Sequence, residues 1–430
     1  MSMYDLTIVG AGWAGFNAAL RAKELGLKVC LIDAYQIGGT CLNHGCIPTK
    51  ALISCAKQFS LAKKSSRFGI ELDNLRLNFA AIQEKKDKII MLLRQGMQSR
   101  LSGIDFINTR AQIISTQEVK VDSRTLNSKF MLIATGSQPC DLPELKFDRK
   151  KIISSDEAMV LSEIPQSLLV VGGGVIGCEF ASLFSMLGTE VTLAEKMPWL
   201  LPTEDREIVR KLEVIFKKSG IKVVTSADIS TFNLDNYSKI LVCVGRTPNT
   251  KGLGLEDLGV ELKNNRIVVD DYLKSNQDNI YAAGDCTAKV MLAHYAAYQG
   301  VTAVQNIVSR QSQKADNLIV PACIFTDPQI ASVGLNQADA EKAGLKIKVY
   351  KLDFRANALA QIIDEVEGFV KIISNQENNK IIGASIIGPQ ATELISSLSV
   401  AISAGLTVDQ VRKIIFAHPT LSESIRESLN

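Results

Sequence analysis

Net charge is almost absent from this chain: 48 basic residues against 45 acidic ones leave +3 over 430 residues. So even a balance gives no support for nucleic acid or an anionic membrane surface as the main partner. A cysteine framework is also missing. The nine cysteines are odd in number and widely scattered, unlike a secreted disulfide scaffold. Most should be reduced thiols, and a disulfide among them would be catalytic or sensory rather than a staple. The amino terminus runs into a strand pattern within a few residues, which leaves no room for a secretion signal. No uninterrupted apolar span stands out. The most apolar window, Leu168 to Leu187, contains Glu179 and four glycines, and reads as a buried strand, a turn and a helix. A cytoplasmic protein is expected. Histidine is scarce as well. His44, His294 and His418 are the only three, so few side chains can exchange protons near neutral pH.

What is present is a repeated plan. Tyr4–Val9 is a short apolar run leading into Gly10-Ala-Gly12-Trp-Ala-Gly15, then a helical pattern, then a second apolar run that ends in Asp33. Ser167–Val171 leads likewise into Gly172-Gly-Gly174-Val175-Ile176-Gly177, a helix, and a run ending at Glu195. In such units the first glycine permits a tight turn, the second lets backbone approach a pyrophosphate, and the third lets helix and strand pack closely. The helix amino terminus then offers unpaired N–H groups and the positive end of its dipole to the phosphates. Asp33 and Glu195 stand where a carboxylate accepts hydrogen bonds from ribose hydroxyls. Glu195 favours NAD, because it would repel the 2′-phosphate of NADP, although Lys196 lies beside it. Two dinucleotide sites are therefore expected.

Between the units, Ala80 to Leu101 reads as a long helix whose charges form a solvated face. Past Asp285 a helix should run from about Met291 to Ser309. Beyond Ile319 antiparallel-looking strands (346–353, 368–374 and 380–387) precede helices near 391–404 and 408–415, which suggests a separate α+β domain. The expected fold class is α/β, with two Rossmann-like dinucleotide-binding domains and a C-terminal α+β domain. The first would comprise residues 1–145 and 272–317, the second 146–271, and the third 318–430. Low-complexity tracts and long linkers are not seen.

Gly38-Gly39-Thr40-Cys41-Leu-Asn-His44-Gly-Cys46-Ile-Pro48-Thr-Lys50 directly follows the first unit. Five residues of regular helix rise about 7.5 Å, beyond the limit near 7 Å for bridged Cα atoms. Both cysteines therefore cannot bridge from within one regular helix. Pro48 is accepted only in a first helical turn, so the helix should begin near Cys46, with Cys41 in an irregular segment before it. There the two sulfurs can meet, and the helix dipole can lower the thiolate pKa of Cys46. Zinc would need two further ligands at suitable spacing, which are lacking. Two unrelated buried thiols would leave the glycines, Pro48 and Lys50 without a shared reason.

This segment resembles the active-site segment of the pyridine nucleotide-disulfide oxidoreductases, and its wording is most similar to the lipoamide-oxidising branch. The resemblance extends over nearly the whole chain. It includes Ala134-Thr135-Gly136-Ser137, Val244-Gly245-Arg246-Thr-Pro-Asn249, Ala283-Gly-Asp285, Met291-Leu292-Ala293-His294, Phe325-Thr-Asp-Pro328 and His418-Pro-Thr-Leu-Ser-Glu423. It implies a dihydrolipoamide oxidation that uses FAD and NAD. Cys41 would attack the substrate as the interchange thiol, and Cys46 would be the thiol next to the flavin. Lys50, paired with Glu179, would sit by the flavin ring. Besides the first glycine motif and Asp33, the FAD site would take in Gly39, Thr40, Thr135, Gly136, Ser137, Asp285 and Met291 to His294. The NAD site would take in Gly172, Gly174, Val175, Ile176, Gly177, Glu195, Gly245 and Arg246. His418, oriented by Glu423, would be the base and would come from the partner subunit, which implies a homodimer with a C-terminal dimerisation domain. The partners implied are lipoyl domains and core subunits of 2-oxo acid dehydrogenase or glycine cleavage complexes, with no metal, nucleic acid or membrane. His44 reads as a tolerated variation.

The stretch Val223–Leu241 is shorter than the family's usual excursion, where an antiparallel meander is expected. NAD binding should survive this, at some cost in stability and affinity. Two close relatives share the fold. Glutathione reductase would want basic residues reading NADP, against Glu195, and mercuric reductase would want two thiols near the carboxyl terminus, whereas the last cysteine is Cys323. A flavin-bearing scaffold would have no need of Cys41, Cys46, Lys50, His418 and Glu423.

Overall fold

A computed structural model describes residues 3–309, 313–315 and 319–430. Three sheets organise the chain. The first is built on Tyr4–Val9, flanked by Val29–Asp33 and then Asp105–Asn108 on one side and by Arg124–Ile133 on the other, all parallel. Ile280–Ala282 adds a parallel strand beyond Arg124–Ile133, whose first half also carries an antiparallel flap, Glu118–Val121 and Ala111–Ile113. The second sheet is parallel throughout, in the order Lys222–Val224, Glu190–Ala194, Ser167–Val171, Lys239–Val242, Ile152–Ile153. In each sheet the chain leaves the glycine-bearing strand toward one side and returns on the other. The carboxyl ends of the two strands at this switch point form a crevice, where ligands bind in open α/β sheets.

The third sheet is antiparallel, in the order Ala322–Ile324, Gln329–Gly334, Ile381–Gly388, Phe369–Asn375, Ile347–Asp353, and carries the helix Ala391–Ser403 on one face. The expected fold class is the observed one. The expected boundary between residues 317 and 318 lies outside the described residues. No helix among the described residues is long and apolar enough to cross a membrane.

Glycine spacing controls the close packing of the first unit. Gly10 has φ +108°, and a Cβ there would stand 2.2 Å from the Ala134 carbonyl oxygen; one on Gly15 would stand 1.8 Å from the Gly10 carbonyl oxygen. Gly172 and Gly177 repeat both relations, at 2.4 Å from Cys243 O and 1.9 Å from Gly172 O. The helix Trp13–Glu24 then lies against Ala293–Ser309 so closely that a Cβ on Gly300 would meet Ala14 O at 2.1 Å. A two-stranded ribbon, Ser137–Pro139 against Arg246–Pro248, ties the two nucleotide units together.

Three expectations need correction. Cys41 is not in irregular chain: it lies in a short helix of its own, Gly39–His44, separated by Gly45 from the helix Cys46–Lys63. Bridging geometry forbids one continuous helix but not two joined by a break. The long charged helix, Phe79–Arg100, is not fully solvated along its charged positions: Lys86 is 3% exposed and donates to Met159 O at 3.0 Å and Gln83 Oε1 at 2.7 Å. The last expected helix, 408–415, ends earlier, as Val408–Arg412.

The shortened stretch after Lys222–Val224 holds two 3-10 turns, Ile229–Thr231 and Leu234–Asn236, and no strand before Lys239–Val242. Ala227, Ile229, Phe232, Leu234 and Tyr237 pack onto the sheet face formed by Leu169, Val171, Ala194, Ile240 and Val242. The face is thus covered without the meander.

Candidate active site

The two nucleotide units and the antiparallel domain enclose one continuous cleft of about 3320 Å³. Cofactor pockets commonly occupy about 300–1,000 Å³, so this one has room for more than one ligand. Nearly all the expected site residues line it, among them Gly10, Gly12, Asp33, Thr40, Ser137, Asp285 and Met291 to His294 from the first unit and Gly172, Gly174, Val175, Ile176 and Gly245 from the second. Gly15 and Gly177 do not; they lie at the helix–strand contacts underneath. His418 and Glu423 stand elsewhere on the same chain.

At the centre are Cys41 and Cys46, both unbridged thiols. Gly45 lets the chain fold back between them, since a Cβ there would stand 3.0 Å from Thr40 O and 3.4 Å from the Cys41 Cα. The proton between them is unevenly shared. Cys46 is pulled down to about 7, first by the hydrogen bond from Cys41, against the effect of burial, and further by the Lys50 charge and its own position at the helix start. Cys41 is pushed well above the ordinary thiol range by the same hydrogen bond and by burial. The shifts run in opposite directions, so the proton is held more tightly by Cys41 and the thiolate, the nucleophilic form of a thiol, is favoured on Cys46.

Lys50 lies one turn further along the same helix. Its Nζ stands 2.8 Å from both carboxylate oxygens of Glu179, on the helix Val175–Leu187 of the second unit. Glu179 Oε1 also accepts the Phe325 backbone N–H at 2.9 Å, and Lys50 Nζ lies 4.8 Å from the Phe325 ring centre. Three parts of the chain thus meet at one ion pair. No local sequence pattern shows that the Phe325 backbone reaches Glu179. Cys323, on the strand Ala322–Ile324 just before Phe325, also lines the cleft, its thiol pushed up to about 11 chiefly by burial.

The acids closing the two nucleotide units behave alike. Asp33 accepts from Ala11 N at 2.6 Å and Tyr35 N at 2.7 Å, while burial raises its carboxyl above the usual range. Glu195 accepts from Gly173 N at 2.5 Å and Met197 N at 2.6 Å. Between the units, Arg246 donates to the Ser137 hydroxyl at 2.8 Å and to the Ser137 carbonyl at 2.8 Å, and that hydroxyl donates to Asp285 at 2.6 Å. Arg246, expected on the second nucleotide, thus reaches toward the first. His294 lies 2.9 Å from the Pro321 carbonyl through Nε2. Asp156, which sequence reading missed, places a buried, unpartnered Oδ1 in the same cleft, and burial raises its carboxyl.

The helices Trp13–Glu24 and Val175–Leu187 have no side-chain cap and no acid in the first turn. Helices Phe79–Arg100 and Arg206–Lys218, by contrast, are capped by Asn78 and Asp205. The free N–H groups of the first two fit a pyrophosphate. Beside one of them, Gly39 approaches so closely that its Cβ would lie 2.6 Å from the Gly12 Cα.

His418 Nδ1 lies 3.0 and 3.2 Å from the two Glu423 oxygens, with 73% of the imidazole and 11% of the carboxylate exposed. Glu423 also accepts the Thr420 N–H at 2.8 Å, and these bonds hold its carboxyl below the usual range. Among the described residues no group of three or more His, Cys, Asp or Glu could hold a metal ion.

This combination of two nucleotide units, a thiol pair and an antiparallel third domain defines a disulfide oxidoreductase, and the chain belongs to the pyridine nucleotide-disulphide oxidoreductase family. Residues 4–300 match the family's main domain and residues 320–429 its dimerisation domain. Among curated relatives it is similar to dihydrolipoyl dehydrogenase of Chlamydia muridarum, at 37% identity over 99% of this chain and 96% of that one. A dihydrolipoyl dehydrogenase of Bacillus subtilis is 36% identical over 99% of this chain and 97% of its own length. Among solved structures, LpdA of Mycobacterium tuberculosis superposes with a TM-score of 0.92 at 28% identity, covering 99% of this chain and 98% of that one. The HOCl-induced flavoprotein disulfide reductase RclA of Escherichia coli gives 0.89 at 27%, covering 99% of each.

Proposed function

We propose that the chain works as a dihydrolipoyl dehydrogenase, oxidising dihydrolipoamide on lipoyl domains and reducing NAD+. The observation that carries this reading is the unequal thiol pair, with Cys46 as thiolate, held beside the Lys50–Glu179 ion pair in a cleft between two dinucleotide units. Gly10 to Gly15, Asp33, Ser137 and Asp285 would hold FAD, and Gly172 to Gly177 with Glu195 would hold NAD. When bound, FAD supplies the two-electron link between the dithiol and the nicotinamide.

In the oxidised enzyme one substrate thiolate attacks Cys41, the Cys41–Cys46 bond breaks, and Cys46 leaves as a thiolate favoured by Lys50. The second substrate sulfur then attacks the mixed disulfide. This closes the lipoamide ring and returns Cys41 as a thiol, so two electrons pass to the cysteine pair. Two protons leave the substrate; one ends on Cys41 and the other needs an acceptor. His418, oriented by Glu423, suits that task but lies outside the cleft of its own chain and largely exposed, which supports a dimer in which a second copy brings it to Cys41. The dithiol would come from 2-oxo acid dehydrogenase or glycine cleavage complexes, and the reaction would run in the cytoplasm.

Purified holoenzyme should turn over dihydrolipoamide with NAD+, and glutathione disulfide with NADPH only marginally. The reverse preference, or no turnover of dihydrolipoamide, would overturn the reading.

A further inference from the structure

The segment that stands where a meander is expected does more than cover the sheet. Ser226 N donates to Met197 O at 2.9 Å and Ala227 N to Glu195 O at 2.8 Å, which clamps the segment to the residues bearing the ribose-reading acid. Ser226, Ala227, Asp228 and Ile229 consequently line the same cleft as Glu195 and Lys196. Asp228 starts the 3-10 turn Ile229–Thr231, accepting from Ser230 N at 3.0 Å and Ser230 Oγ at 2.8 Å. These bonds fix its carboxylate in an exposed position at the nucleotide end of the cleft. Lys196 is the cation that acts on it.

Taking the second unit as the NAD site, which is the reading above, we propose that Asp228 is a specificity-determining residue. It would set a second carboxylate beside Glu195 and offset the Lys196 charge, so that a ribose carrying a 2′-phosphate is disfavoured beyond what Glu195 alone achieves. Without Asp228, Lys196 would be an uncompensated cation on the residue next to the ribose-reading acid and would attract that phosphate. A phosphate dianion several ångströms from one solvated unit charge changes its binding by about fivefold, and this falls as salt rises.

The test uses holoenzyme and compares kcat/KM for NADPH with that for NADH in the wild type, Asp228→Asn and Asp228→Ser. Serine keeps an oxygen to cap the turn while removing the charge. The NADPH-to-NADH ratio should rise about fivefold in both variants, through a lower KM for NADPH, and the rise should shrink in high salt. An unchanged ratio in both variants, or a change that does not shrink in high salt, would overturn the proposal. If the wild type turned over neither nucleotide, the NAD reading itself would fall and take this proposal with it; turnover of NADH with an unchanged ratio overturns this proposal alone.

Discussion

Lys50 and Glu179, 129 residues apart in sequence, meet at 2.8 Å across the boundary between the two nucleotide units. Glu179 is 4% exposed and Lys50 28%, so neither charge is fully screened by water. Lys50 lowers the Cys46 pKa and Glu179 raises it. Replacing them should therefore move that thiol in opposite directions: Lys50→Gln upward from about 7, Glu179→Gln downward. The ultraviolet absorbance of the thiolate, followed against pH in the reduced enzyme, reads both shifts. Movement in the same direction would show that the pair acts only by positioning.

The same titration has a consequence for stability. An unfolded thiol titrates near 8.5, above the folded Cys46 at about 7. A group depressed on folding contributes stability that is full above the unfolded value and lost as pH falls through the folded one. Reduced enzyme should gain resistance to urea between about pH 7 and pH 8.5 relative to Cys46→Ser, measured as the difference between their unfolding midpoints. Cys46→Ser should also abolish dithiol turnover while FAD remains bound, and retained turnover would remove Cys46 from the electron route.

His418→Gln should lower dihydrolipoamide turnover by about 10²–10⁴, the usual contribution of a positioned general base. Glu423→Gln should cost less and should flatten the pH profile rather than abolish activity, because the imidazole remains but is less well oriented. Mixing His418→Gln subunits with Cys41→Ser subunits offers a sharper check. If each site borrows its base from the other copy, mixed dimers regain one working site; if the base were used within its own chain, they would regain none with a complete thiol pair and base.

Lys371 sits on the strand Phe369–Asn375, 2% exposed, with Asp205 at 2.9 Å, Glu207 at 2.8 Å and Gln337 at 2.8 Å. It joins the antiparallel domain to the second nucleotide unit. Lys371→Met would strand the buried Asp205 and should destabilise the protein by about 3–5 kcal/mol, seen as a lower urea midpoint. Glu207 is held down to about 2, first by Lys351 and then by Lys371. Its share of stability is thus full above the ordinary carboxylate range and lost as pH falls toward 2. In the variant that loss begins at higher pH, so acid unfolding should start earlier than in the wild type.

The sequence by itself determined the local backbone rules. Glycine at positions 10, 12 and 15 and again at 172, 174 and 177 admits only a tight turn and a close helix–strand contact, so both nucleotide units were legible in short windows. The spacing of Cys41 and Cys46 with Pro48 likewise demanded a helix break, although Gly45 made that break a join between two helices. Only the tertiary structure decided which distant groups face each other. Lys86 looks in sequence like a member of a solvated charged face and Lys371 is a lone charge in an apolar strand, and both are buried because other elements close over them and supply oxygen partners. Arg246 reaches Ser137 rather than lying along its own unit, and the strap after Val224 brings Asp228 to the cleft rim. Periodicity reports which face of an element is apolar. It carries no information about what packs against that face, and the electrostatics of this site arise at such contacts.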